Sequence, residues 1–322
     1  MENEINEINE MDENNIVEPE KKPYKLSKKK LIKFSIIVLS VIIFIIILIT
    51  LIKYLTSDYH KLTKLGYDKE TSKKIVEMNK SDKVLSIGYN EKILDIMTSK
   101  YYIDKNLENY LNYYENNKNK TIDDVIAIVN VHADNEFYSL KLKTDTDLGN
   151  AMLVNKYYSL DESYEPELVS VKNWYAYGDQ KVTEEVYDNY IRMFEAAEDE
   201  NIKLIINDSY RSYEEQKETH KLYGDTIAAR PGSSEHNTGL SIDVITYGAD
   251  ADNFDKTDAF RWLSKNAHKY GFILRYPKDK EYLTGYDYES WHYRYLGVDL
   301  ATKVYESGLT YEEYYAYYIE NK

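Results

Sequence analysis

Polar and apolar positions divide the chain into blocks of different texture. The run from Phe34 to Ile52 is 19 residues without a charge. At 1.5 Å per residue it spans roughly 28 Å, close to the hydrocarbon thickness of a bilayer. It shows none of the polar stripe that a surface helix of a soluble protein carries. No small-residue cleavage site follows it, since Lys53, Tyr54, Leu55 and Thr56 come next. The pattern therefore predicts a single transmembrane helix over 31–55.

Between 56 and 120, apolar residues recur at helical spacings, with breaks at Gly66 and Gly88. The β-branched run Val125 to Val131 predicts a buried strand, and 56–145 is expected to be a small, mostly helical region outside the cell. From Asn150 short apolar stretches (Met152 to Val154, Leu204 to Ile206, Leu240 to Val244) read as strands. They alternate with helical stretches at Thr183 to Glu200, Tyr213 to Leu222, Phe260 to Tyr270 and Tyr311 to Glu320. This order predicts an α+β domain over 146–322, an antiparallel sheet with flanking helices.

Charge refines the N-terminal part of this picture. Residues 1–20 hold eight acidic side chains and no Lys or Arg, a composition expected to stay disordered. Lys21, Lys22, Lys25, Lys28, Lys29, Lys30 and Lys33 follow, just ahead of the apolar run. That cluster predicts a cytoplasmic tail over 1–30, with the bulk of the chain from about residue 56 outside. Lysines also follow the span, so the charge pattern alone does not fix the orientation. The net charge of −15 argues against a nucleic-acid-coating protein. The 35 tyrosines read as a compositional bias and carry no functional weight.

The chain has no cysteine, which excludes disulfides and thiolate metal sites and leaves only His and carboxylate ligands for a transition metal. Of the six histidines, at 60, 132, 220, 236, 268 and 292, two stand in suggestive surroundings. His236 lies in Ser234-Glu235-His236-Asn237-Thr238-Gly239, seven residues before Asp243, and His292 lies in Glu289-Ser290-Trp291-His292. Gly232 and Gly239 can supply tight turns there. Two histidines and an aspartate leave a fourth tetrahedral position open, as catalytic zinc requires. Glu289 is then the natural general base. By spacing alone the pattern is weak evidence, since a lone histidine is more often a packed or surface residue. His220 and His268, amid polar residues of helical stretches, are expected to face solvent.

The pattern Ser234-x-His236-x-x-Gly239-x-x-x-Asp243, with Glu289-x-Trp291-His292, closely resembles the signature of the VanY-type D-alanyl-D-alanine carboxypeptidases, a zinc peptidase family acting on peptidoglycan. Ser209-Tyr210-Arg211-Ser212-Tyr213 with Gln216, the stretch Tyr270 to Pro277, and Thr284-Gly285-Tyr286 match other segments of that family in order. The similarity covers about 150–318. Ser241 departs from it, standing where members usually carry alanine.

The resemblance implies one zinc ion held by His236, Asp243 and His292, with Glu289 as catalytic base and acid. Arg211 would stabilise charge on the scissile carbonyl or grip the substrate carboxylate, the alternative being a structural ion pair. Ser234, Gln216 and Tyr210 would contact substrate, against a plain turn or helix-surface role for Ser234 and Gln216. Trp291 would line the cleft or pack in the core. The implied reaction is removal of the C-terminal residue from peptidoglycan stem peptides, outside the cell, by an enzyme anchored in the membrane. L,D-carboxypeptidase and endopeptidase activities of the same family, and a non-catalytic zinc-containing binding module, are the alternatives.

Overall fold

The computed structural model describes residues 27–320. The acidic segment expected to be disordered lies outside the described residues. The chain divides into two compact units, the first ending at Gly88 and the second beginning at Tyr89.

In the first unit, α1 (Lys28–Thr56) contains the whole apolar run and buries no residue within the protein. Among the described residues it is the one helix long and apolar enough to cross a membrane. Three short helices follow, α2 (Asp58–Leu65), α3 (Lys69–Glu77) and α4 (Ser81–Ile87). The side chain of Ser57 caps α2 and that of Asp68 caps α3, each accepting from backbone N–H groups left free at the helix start. Leu62, Ile75 and Val84 are fully buried where these helices meet.

The second unit opens with α5 (Ile93–Met97), α6 (Leu107–Asn116) and α7 (Ile122–Asn130). The strand expected at Val125 to Val131 is instead α7. Thr121 and Asp124 form a capping box that starts the helix. Val125, Ile126, Ala127, Ile128 and Val129 are all buried, so the helix shows no polar stripe and its sequence reads as a continuous apolar run.

Strand β1 (Leu142–Lys143) pairs in parallel with β2 (Tyr158–Ser159), and β3 (Val169–Ser170) pairs antiparallel with β4 (Lys181–Val182). Met152 to Val154, expected as a strand, joins no ladder. Its carbonyls accept from side chains instead, Met152 from Arg294 at 2.7 Å and Leu153 from Thr144 at 2.8 Å.

Then come α8 (Glu184–Asp199), β5 (Ile205–Asp208), α9 (Tyr213–Ile227), β6 (Ser241–Ile245), α10 (Asp258–Asn266), β7 (Phe272–Tyr276), α11 (Glu281–Thr284), β8 (Glu289–Tyr295), α12 (Val298–Ser307) and α13 (Tyr311–Tyr315). The main sheet is antiparallel, in the order β5-β6-β8-β7. One face carries Ile242, Val244, Phe272, Tyr293 and Tyr295 into the main core. Val186, Tyr190, Met193, Phe194 and Ala197, spaced along one stripe of α8, pack there, together with Ala259, Trp262 and Leu263 of α10. Each large side chain so buried stabilises by about 1.5–3 kcal/mol as an upper figure. The opposite face carries Ser241, Asp243, His292, Arg294 and Arg275.

Two glycines shape the approach to that face. Gly239 has φ +71°, and Gly232 has φ +80° with the position of a Cβ only 2.6 Å from the Leu160 carbonyl oxygen. Leu160 N–H donates to the Gly232 carbonyl at 2.8 Å, which holds the two backbones together. Gly232→Ala is therefore expected to cost about 1–3 kcal/mol from the left-handed backbone alone. Thermal unfolding followed by circular dichroism should show Tm lowered by roughly 2–10 °C.

Candidate metal centre

His236 sits in a tight 3-10 turn, Glu235–Thr238, ended by Gly239. Asn237 ties this turn to the chain after β5, its Nδ2 donating to the carbonyls of Arg211 (2.7 Å) and Ser212 (3.2 Å) while its Oδ1 accepts from Gly232 N–H (3.0 Å). Arg211 N–H donates to the His236 carbonyl at 3.1 Å, fixing the arginine relative to the histidine. The Nδ1 of His236 donates to the Ser209 carbonyl at 2.5 Å, which leaves Nε2 free and facing Asp243 Oδ1 at 3.6 Å.

Asp243 and His292 are direct partners across the β6–β8 ladder. Asp243 Oδ1 lies 2.9 Å from His292 Nδ1, and the two histidine rings meet edge to face at 4.9 Å. One ligand atom from each of His236, Asp243 and His292 falls within 4.8 Å of the others. A tetrahedral zinc with bonds of about 2.0–2.2 Å separates its donors by roughly 3.3–3.6 Å. Two imidazole nitrogens and a carboxylate oxygen at these spacings fit such an ion.

Glu289 reaches the same place through an irregularity. An unbroken β7–β8 ladder would pair Tyr276 with Trp291, but the register shifts and Tyr276 pairs with Glu289. Glu289 Oε2 then lies 3.8 Å from His292 Nδ1, with 29% of its side chain open to solvent. Burial, opposed by His292, pushes its carboxyl up to about 7. Arg211 lies 3.6 Å from Asp208, and its positive charge acts on His236, Asp243 and Glu289.

The other expected substrate residues scatter. Tyr210 is half-buried beside Arg211, and Ser234 is buried at the start of the turn. Gln216 is fully buried, with its amide donating to the Ala229 carbonyl at 2.7 Å. Trp291 points to the opposite sheet face and packs against the main core. His220 and His268 are half-buried rather than solvent-facing, because His220 pairs with Asp225 at 2.8 Å and His268 stacks on Tyr305 at 3.8 Å.

A buried charge cluster behind the site escaped the sequence reading. Glu235, the neighbour of His236, accepts on Oε1 from Arg275 Nε (2.7 Å) and Arg294 Nη1 (2.8 Å). Its Oε2 lies 3.3 Å from His292 Nε2. Arg275 also forks onto Glu312 at 2.6 and 2.9 Å. Burial pushes the Glu235 carboxyl up, but Arg275, Arg294 and His292 outweigh it and hold the group well below the usual carboxylate range. The available signal was a lone arginine inside each of two apolar strands, FILRY and WHYRYL, where a buried cation demands an acidic partner.

The family model for VanY, D-alanyl-D-alanine carboxypeptidase, matches residues 179–298. YodJ of Bacillus subtilis is 38% identical over 182 residues, covering 51% of this chain and 66% of the relative. A D-alanyl-D-alanine carboxypeptidase of Enterococcus faecalis is 32% identical over 198 residues, covering 56% of this chain and 71% of the relative. Among solved structures, the LdcB LD-carboxypeptidase, described for its peptidoglycan recognition, is 36% identical with a TM-score of 0.51. That match covers 54% of this chain and 89% of the other. The chain thus spans about two thirds of the length of the two curated relatives.

Protonation of the site makes a testable statement. Burial lowers His236 to about 4. Burial also opposes the charged form of His292, but Asp243 and Glu235 outweigh it and raise His292 to about 10. Before a metal binds, the proton therefore resides on His292 at neutral pH and must leave for coordination. Apparent zinc affinity should climb with pH, roughly tenfold per unit between pH 6 and 8. Competition with a chromophoric chelator at several pH values measures this; a flat profile would contradict it.

Proposed function

The chain belongs to the VanY family of D-alanyl-D-alanine carboxypeptidases, and from that premise we propose that it is a zinc-dependent enzyme trimming the C-terminal residue of peptidoglycan stem peptides. The observation that carries this reading is the convergence of His236, Asp243 and His292 with Glu289 at their edge. His236, Asp243 and His292 would hold the zinc. When bound, zinc supplies Lewis acidity that polarises the scissile carbonyl and acidifies a water molecule.

Glu289 takes up the proton of the attacking water and delivers it to the leaving amine. Its raised pKa and partial exposure suit both halves of that task. Arg211, fixed by its backbone bond to the His236 turn, stabilises the negative charge that develops on the carbonyl oxygen. Asn237 ties this arginine loop to the turn.

In this reading residues 146–322 form the peptidase domain, 31–55 anchor it, and 56–145 connect the two. The lysines ahead of the apolar run support a cytoplasmic tail over 1–30 and a catalytic domain outside, where the polymer is. Cleavage of tetrapeptide stems at the L,D bond is a second reading, supported by the likeness to LdcB. A purely binding role is disfavoured because Glu289 and Arg211 both stand beside the ligand set.

The full chain in detergent, incubated with muropeptides whose stems end in five or four residues, should release alanine from one of them, and a chelator should stop it. Mass spectrometry identifies the bond. Glu289→Gln should keep its zinc while slowing turnover at least ~10²–10⁴-fold. Unimpaired turnover in that variant would overturn the assigned base.

A further inference from the structure

We propose that Glu235 is a positioning residue for His292, and that helix α13, near the C-terminus, keeps it in place through Glu312 and Arg275. The inference rests on the zinc reading of the site. His292 has two ring nitrogens with separate tasks. Nδ1 faces Asp243 at 2.9 Å, where the ligand atoms gather, and Nε2 faces a Glu235 oxygen at 3.3 Å. An imidazole that donates from Nε2 keeps the lone pair of Nδ1 available, so Glu235 selects the tautomer that can bind a metal through Nδ1. One turn of chain then serves both histidines, since His236 provides a ligand and Glu235 orients the opposing one.

Glu235 cannot swing away from this task. Its other oxygen is held by Arg275 and Arg294, and all three side chains have no exposed surface. Arg294 is itself anchored to the carbonyls of Asn150 (3.0 Å) and Met152 (2.7 Å). Arg275 is gripped by both oxygens of Glu312 in α13. Two arginines and two glutamates balance in charge, so the group is stable as a unit and loosens if one member leaves. Thr310 and Glu313 cap α13 reciprocally, which fixes the helix that carries Glu312. A cluster serving packing alone would have no reason to extend a carboxylate oxygen to His292.

The test uses the zinc-loaded full chain in detergent micelles with ¹⁵N-labelled histidine. Long-range ¹⁵N–¹H spectra should show His292 protonated on Nε2 and metal-bound on Nδ1. Coordination through Nε2 would overturn the positioning role while leaving the zinc reading intact; no zinc at His292 at all would sink both. Glu235→Gln should weaken zinc binding about 10–100-fold and change the visible spectrum of the cobalt-substituted protein. Glu312→Gln, one residue further out, should do the same to a smaller degree and serves if the first variant fails to fold. A purely structural cluster would lower Tm in these variants with zinc affinity and cobalt spectrum unchanged, and that result would refute the proposal.

Discussion

The register of β6 against β8 is the constraint on which this molecule depends. Ser241 stands opposite Arg294, Ile242 opposite Tyr293, and Asp243 opposite His292. Side chains alternate across a strand, so a slip of β6 by one residue would turn Asp243 into the main core, away from His292, and put Ile242 on the ligand face. The apolar face of the sheet and the ligand face are therefore one decision. Burying Ile242, Val244, Tyr293 and Tyr295 under α8 and α10 obliges the aspartate and histidine to meet on the other side.

That other face is polar and still largely buried, a combination that requires compensation. Arg275 and Arg294 have no solvent contact, and an isolated buried charge is strongly unfavourable. The cluster with Glu235 and Glu312 resolves this, because each guanidinium meets a carboxylate and the total charge cancels. The consequence is architectural. Residues far apart in sequence, from the His236 turn, β7, β8 and α13, are joined by charge-assisted hydrogen bonds. The C-terminal helix thereby becomes part of what stands behind the metal ligands.

Where sequence pattern and structure part, the causes are local and physical. Val125 to Val129 form a helix buried on every side, and an element with no solvent face has no period to read. Met152 to Val154 are apolar, yet the carbonyls of Met152 and Leu153 accept from the side chains of Arg294 and Thr144 rather than from a neighbouring strand. Trp291 adjoins a ligand in sequence but faces away from it, as neighbours on a strand must. Gln216 lies in the first turn of α9, next to the arginine loop, but its amide donates to the Ala229 carbonyl.

The sequence by itself determined the apolar span of α1, the α+β character of the C-terminal part, the exclusion of thiolate ligands, and the family through its ordered motifs. These are properties of composition and short-range spacing, and they survive without knowledge of which strands pair. Only the tertiary structure decided that Asp243 meets His292, that a shift in the β7–β8 ladder brings Glu289 to them, and that Glu235 lies against His292 rather than in solvent. Those facts depend on register, on a break in register, and on charges more than 30 residues apart neutralising one another. None of these leaves a periodic trace along the chain.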